Sequence, residues 1–256
     1  MPIYWHAYEA KVLKGRRSQL ERAFVRTLFT RVLRELARPR CRLTADRGFA
    51  DVWRFDLLDE LKVAFIIRTK ESVKVYAERE WRKLKTLRLR GNTRRRSLGR
   101  LRYCESSPRR LYLTQSRARN RKGQWGLWWL VSNRHFSAYQ ACDEYARRWG
   151  CECGFRDAKD LLGLAEARIK NARAYARMFT LVAIALLLLA IIGCVFLQTG
   201  QAARARLRRV SSDRGTHSEL SLFSAMLHLL KHDVGLWNYL NPKAKLNLEV
   251  TLQNVG

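Results

Sequence analysis

The chain has 256 residues, and 51 Lys and Arg against 22 Asp and Glu give a formal charge of +29 and a pI near 10.9. So large an excess of cations argues against a positively charged partner and makes a polyanion, nucleic acid first, the natural one. The length is enough for one large core or two smaller ones. The six cysteines (41, 104, 142, 151, 153 and 194) have no framework spacing, so they read as reduced thiols of a cytoplasmic protein and not as a disulfide scaffold.

Taken in order, Pro2–Tyr8 is aromatic and predicts a strand. Ser18, with Glu21 three residues on, has the pattern of a capping box. Leu20, Phe24, Leu28, Val32 and Leu36 then recur at helical spacing until Pro39 ends the run. Arg42–Asp46 predicts a short strand that ends in a carboxylate, and Asp51 caps or opens a helix over Val52–Leu61. Val63–Ile67 reads as a buried strand ending in Arg68-Thr69-Lys70. Strand, helix, strand, helix, strand implies an α/β sheet.

Residues 79–122 change character, with 17 Lys or Arg and only Glu80 and Glu105 as acids. Leu87–Arg90 and Leu98–Tyr103 alternate apolar and basic, as strands with one cationic face do. Disorder is the competing reading, but Trp81, Tyr103, Tyr112, Trp125, Trp128 and Trp129 argue for a folded unit. Arginines in such a unit can grip phosphates while an indole stacks an unpaired base. A strand is predicted over Leu127–Asn133.

Tyr145, Arg148, Glu152 and Lys159 follow. On one helix, at about 100° per residue, they lie within an arc of roughly 60°. A carboxylate there shares a face with a phenol and two cations, the mixture that metal-assisted chemistry on a phosphate backbone requires. A solvated charged face gives the same spacing. Gly150 and Gly154 each cost about 1 kcal/mol relative to Ala, which predicts close packing beside them. Cys142 and Cys153 would be about 16 Å apart on that helix, too far to share a zinc ion.

Met178–Leu197 is almost wholly apolar and basic on both flanks, which fits either a membrane span or, preferred here, a buried core helix. Leu220–Leu230 predicts one more amphipathic helix. His228 and His232 lack a third ligand, so both, with His217, read as surface residues.

The pattern Tyr145-x2-Arg148-x3-Glu152-x6-Lys159 resembles the signature of one large group of bacterial insertion-sequence transposases of the DDE class. Leu43-Thr-Ala-Asp46-Arg-Gly-Phe49 is similar to the segment that carries the second catalytic Asp in that family. The strand before the signature is in the matching place. The resemblance implies an RNase H-like mixed sheet with flanking helices, interrupted by a basic β-rich insertion. It divides the chain into residues 1–70 (first part of the core), 71–126 (the insertion), 127–200 (the rest of the core with the signature and apolar helices) and 201–256 (a helical tail). It implies Asp46 and Glu152 as catalytic, metal-holding carboxylates for Mg²⁺ or Mn²⁺, and Tyr145, Arg148 and Lys159 as DNA-binding groups. It also implies transposon-end and target DNA as partners, a homodimer in a synaptic complex, and a place in the bacterial cytoplasm at the nucleoid. The first carboxylate of such a site would precede Pro2–Tyr8, and no Asp precedes Asp46. The expectation is therefore a transposase truncated at its amino end, which alone binds Mg²⁺ weakly and does not cut DNA. A non-catalytic DNA-binding remnant is the alternative, and a single-span membrane protein the third.

Overall fold

The computed structural model describes residues 7–8, 10–33, 41–87, 94–119, 125–164, 166, 168–169, 171–198, 209–212 and 215–218. They fall into two units, one built on 10–150 and the other on 151–256 with 1–9. The predicted strand at Pro2–Tyr8 lies outside the described residues except for Ala7 and Tyr8, which are not in a strand. The strand proposed for Leu87–Arg90 lies outside them except for Leu87, and the helix over Leu220–Leu230, with His228 and His232, lies wholly outside.

The first unit opens with α1 (Ala10–Leu13) and α2 (Arg17–Thr27), the latter running on as a π-helical turn over Leu28–Val32. The capping box expected at Ser18 does not form, because the helix already begins at Arg17 without a side-chain cap. Glu21 instead takes Arg17 and Arg54. Next come β1 (Arg42–Ala45), a 3-10 turn at Arg47–Phe49, α3 (Val52–Glu60) and β2 (Ala64–Thr69). The chain then forms β3 (Lys74–Ala77), β4 (Glu80–Lys83), β5 (Arg95–Tyr103), β6 (Arg109–Arg119) and β7 (Trp125–Ser132).

All seven strands make one mixed sheet in the order β1-β2-β7-β6-β5-β3-β4. β1 and β2 are parallel and every other pairing is antiparallel. With its flanking helices this is a mixed α/β fold. The segment rich in cations thus contributes strands to the same sheet as β1 and β2. A register shift between Ser97 and Arg100 bends β5, and Gly99 sits there at φ +75°, a conformation that favours a residue without Cβ.

Side chains alternate across the sheet. One face carries Phe65, Ile67, Val75, Tyr103, Leu111, Leu113, Trp129 and Val131 against Phe29, Leu33, Phe55, Leu58 and Leu84, and this is the main core. Phe55 stacks on Phe65 at 5.1 Å and meets Tyr103 edge-on at 5.7 Å, both favourable aromatic geometries. Just beyond β7, Asn133 ties the start of β2 in place. Its Oδ1 accepts from the Phe65 amide at 3.0 Å, and its Nδ2 donates to the Val63 carbonyl at 3.0 Å and to Asp59 at 2.7 Å.

The opposite face is covered in part by α4 (Ala138–Ala146), through Ile66, Leu130, Ala141 and Tyr145. Ser137 begins α4 with a complete capping box. Its hydroxyl accepts from the Gln140 amide, and the Gln140 side chain accepts from the Ser137 amide.

The signature does not lie on one helix. α4 stops at Ala146, Arg147 and Arg148 form a turn, and α5 runs from Trp149 to Leu161. At the break the bonds tighten to i→i+3, with the Arg148 amide donating to the Tyr145 carbonyl at 3.1 Å and that of Gly150 to Arg147 at 3.0 Å. The weak helical preference of Gly150 permits this. The close packing expected at Gly150 and Gly154 is likewise not found: a Cβ at either meets nothing within 4 Å among the described residues.

The second unit holds the rest of α5, the 27-residue α6 (Ala172–Gln198) and a hairpin of β8 (Arg209–Ser212) and β9 (Gly215–Ser218), where His217 lies. α6 differs from a helix buried on all sides. Phe179, Val182, Ala183, Leu186 and Leu189 are buried, the first two and Leu186 against Ala158 and Leu164, whereas Leu181, Ile184 and Leu188 are exposed. By length and composition, Ala172–Ile192 could also cross a membrane.

Candidate active site

β1 ends on the buried Ala45, and the next residue, Asp46, turns its carboxylate to the α4 side of the sheet. Its Oδ1 accepts from the Arg47 amide at 2.7 Å, capping the 3-10 turn, and from the Tyr145 hydroxyl at 3.3 Å. Both bonds fall on Oδ1, and Oδ2 accepts none among the described residues.

Tyr145 is 3% exposed at the end of α4, packed on Ile66 and Leu130 and edge-on to Trp128 at 5.8 Å. Burial, then the adjacent Asp46 carboxylate, hold its phenol pKa above the ordinary value, against the opposing pull of Arg148 and Arg68. At neutral pH the phenol is therefore a donor and Asp46 its acceptor.

Two guanidinium groups border this pair. Arg148 lies over the Tyr145 ring at 5.5 Å, and Arg68, at the end of β2, lies over Trp128 at 4.8 Å. Of the predicted residues, the first unit therefore brings together Asp46, Tyr145 and Arg148. Glu152 and Lys159 are on the α5 segment of the second unit, in its first and last turns. Seven residues apart, they occupy one side of the helix, about 10.5 Å apart along its axis, with signs that suit its dipole.

The sequence marks Arg68 only as a strand end and Trp128 only as one aromatic of a folded unit, neither as a neighbour of Asp46. The signal available was a cation closing an otherwise apolar strand, Ala64–Thr69.

The loop that carries Asp46 is held from behind by Arg54. This residue is 7% exposed; it donates to the Gly48 carbonyl at 3.0 Å, pairs with Asp51 and Glu21, and stacks over Trp53 at 4.5 Å and Phe49 at 4.8 Å. Asp51 opens α3 as predicted, but its side chain serves Arg54 and makes no cap. Burial raises the Glu21 pKa, but the hydrogen bonds from Arg17 and Arg54 outweigh it and hold the carboxyl below its usual range.

Among the described residues no three His, Cys, Asp or Glu side chains cluster as a ready-made metal cage. The donor set at Asp46 nevertheless fits Mg²⁺, a hard cation that binds through one or two carboxylates and completes its shell with water and phosphate oxygens. Oδ2 is the oxygen left to bind it.

The fold that brings Asp46 from a strand end to a face bordered by Tyr145, Arg68 and Arg148 is a mixed α/β sheet with flanking helices. Residues 25–188, more than half of the chain, match the family model described as the transposase DDE domain, and the chain belongs to that family. No curated protein matches it.

Proposed function

We propose that this chain serves DNA transposition as an RNase H-like DDE transposase of the Tyr-Arg-Glu-Lys subgroup, with Asp46 and Glu152 as two of its metal-holding carboxylates. The observation that carries the reading is the bond from the Tyr145 hydroxyl to Asp46 Oδ1 across 99 residues of sequence. It ties the signature segment to the Asp segment, as a shared site requires.

In this reading Tyr145 orients Asp46 so that Oδ2 is presented to the metal. Arg148 and Arg68 hold the phosphate to be cut; Arg can do so bidentately, and Lys159 adds a point charge farther along the strand. A divalent pair held by Asp46 and Glu152 would supply activation of the attacking hydroxyl and charge stabilisation at the leaving oxygen. The partners are transposon-end and target DNA, handled by a homodimer in the bacterial cytoplasm.

The acids ahead of Asp46 are Glu9, Glu21 and Glu35. Glu21 is committed to Arg17 and Arg54. Glu9 and Glu35 lie outside the described residues, and with Asp46 and Glu152 as the metal-holding carboxylates the reading is that the isolated chain holds the metal weakly and does not nick DNA.

Mn²⁺ titration followed by electron paramagnetic resonance tests the assignment. Asp46→Asn and Glu152→Gln should each weaken the bound signal about tenfold or more, whereas Tyr145→Phe should weaken it only a few-fold. Equal Mn²⁺ affinity in wild type and Asp46→Asn would refute the role of Asp46. Mg²⁺-dependent nicking of plasmid DNA by the pure chain would overturn the inactivity of the isolated protein.

A further inference from the structure

The turn that carries Asp46 has little of its own to hold it. Arg47, Gly48 and Phe49 are exposed, and a Cβ at Gly48 would meet nothing within 4 Å among the described residues. The backbone supplies two bonds. The Phe49 amide donates to the Asp46 carbonyl at 2.8 Å, and the Ala50 amide donates to the Arg47 carbonyl at 3.5 Å, too long to hold much. Tyr145 steadies the Asp46 side chain from α4. The other hold on the turn is Arg54, which donates to the Gly48 carbonyl at 3.0 Å, pairs with Asp51 and lies over the Phe49 ring at 4.8 Å.

A guanidinium is costly to bury unless all its donors are met, and the buried Arg54 Nε has no hydrogen-bond partner among the described residues. Cohesion between the helices does not require it. Two apolar side chains at positions 21 and 54 would join α2 to α3 at least as well, because exchanging a buried ion pair for apolar residues of similar volume is often neutral or stabilising. An apolar pair could not donate to a carbonyl and an acid of the turn while also meeting Glu21 on the helix behind. The planar fork of Arg54 does all three. Its stacking over Trp53 at 4.5 Å, as well as over Phe49, fixes the plane of that fork.

We propose that Arg54, with Glu21 as its counter-ion, is a positioning residue that fixes the turn over 46–51 and thereby aims the Oδ2 of Asp46. A carboxylate meant for a metal has to be held to within about 0.5 Å of its working place, by neighbours whose own side chains are locked. Tyr145 locks the carboxylate from one side, and Arg54 locks the backbone that carries it from the other. Without Arg54 the turn can swing, and Asp46 then reaches a metal in only a fraction of its conformations. The role of Arg54 in metal binding rests on the assignment of Asp46 above, whereas its hold on the turn does not.

The test is amide hydrogen exchange of the full chain without metal, read by NMR in wild type and in E21M/R54M. The double variant should unfold at the wild-type urea midpoint or above it. Its Arg47 and Phe49 amides should nevertheless exchange roughly tenfold faster, while the paired amides of β2 and β7 keep their wild-type rates, as local opening of the turn alone requires. R54K keeps a charge but not the fork. It should show the same local pattern, which keeps the test decisive if E21M/R54M does not fold. Wild-type exchange at Arg47 and Phe49 in both variants, or an acceleration spread equally over β2 and β7, would overturn the proposal. Mn²⁺ binding then asks whether the effect passes through Asp46. E21M/R54M should bind Mn²⁺ at least threefold more weakly than wild type, and in an Asp46→Asn background the same two changes should have no further effect. A further loss in that background would show that Arg54 does not act through Asp46. If Asp46→Asn alone leaves Mn²⁺ binding unchanged, the metal assignment fails, and the exchange rates still decide whether Arg54 holds the turn.

Discussion

Tyr103 lies in the main core with its hydroxyl hydrogen-bonded to Thr69. Burial pushes its phenol pKa up to about 12 from the ordinary 10.0. The folded state thus keeps a proton that the unfolded chain releases above pH 10. The stabilising difference is complete below pH 10 and is lost as pH rises to about 12, at roughly 1.4 kcal/mol per unit. Urea unfolding at pH 9, 10 and 11 should show this decline, and Tyr103→Phe should flatten it while costing about 1 kcal/mol for the hydrogen bond. A missing decline in wild type would mean that Tyr103 is not sequestered from water. Asp46 shows what single residues disclose. Its place at a strand end was legible from the strand expected over Arg42–Asp46, one residue longer than β1, whereas its acceptance of the Tyr145 hydroxyl was not, since nothing local links positions 99 residues apart.

The elements were legible where their periodicity was strong. α3, β2 and β7 lie where the apolar patterns predict them, whereas the eleven-residue β6 was not recognised as a strand. Leu111 and Leu113 face the core but alternate with Tyr112 and Thr114 on a side where α4 supplies partial cover, so the simple apolar–polar signal is diluted. The split of the signature into α4 and α5 was hidden for a related reason. Helical spacing stays in phase across a short turn, so the break between Ala146 and Trp149 leaves no mark in the pattern. Arg54 joins elements in the same nonlocal way, clamping α2 to the Asp46 loop and α3. Arg54→Met should lower stability by about 2–3 kcal/mol in denaturant titration. This is less than the loss of one partner from a fully buried pair, because Glu21 and Asp51 keep contact with water. Arg54→Lys should recover only part of that, having no planar fork to reach two acids and a carbonyl. Full stability in Arg54→Met would rule out the clamp.

For the molecule as a whole, charge and α6 set its behaviour. The stripe of Leu181, Ile184 and Leu188 is an apolar face left uncovered among the described residues, with Leu181 68% exposed. Contiguous apolar surface of this kind drives association. Sedimentation velocity without detergent should show concentration-dependent association of wild type, weakened at least several-fold in Leu181→Ser/Ile184→Ser/Leu188→Ser. Association unchanged in that variant would place the sticky surface elsewhere. By itself the sequence determined the α/β class, the cationic character that selects a polyanion, the strand that leads to Asp46 and the Tyr145-x2-Arg148-x3-Glu152-x6-Lys159 spacing, because composition and short-range periodicity are local properties. Tertiary structure alone decided that the basic segment joins the same sheet, that Tyr145 bonds to Asp46, that Arg68 and Trp128 border them, and that Arg102 stands opposite Arg110. Those facts depend on strand order and register, which arise from long-range pairing that no stretch of the chain encodes alone.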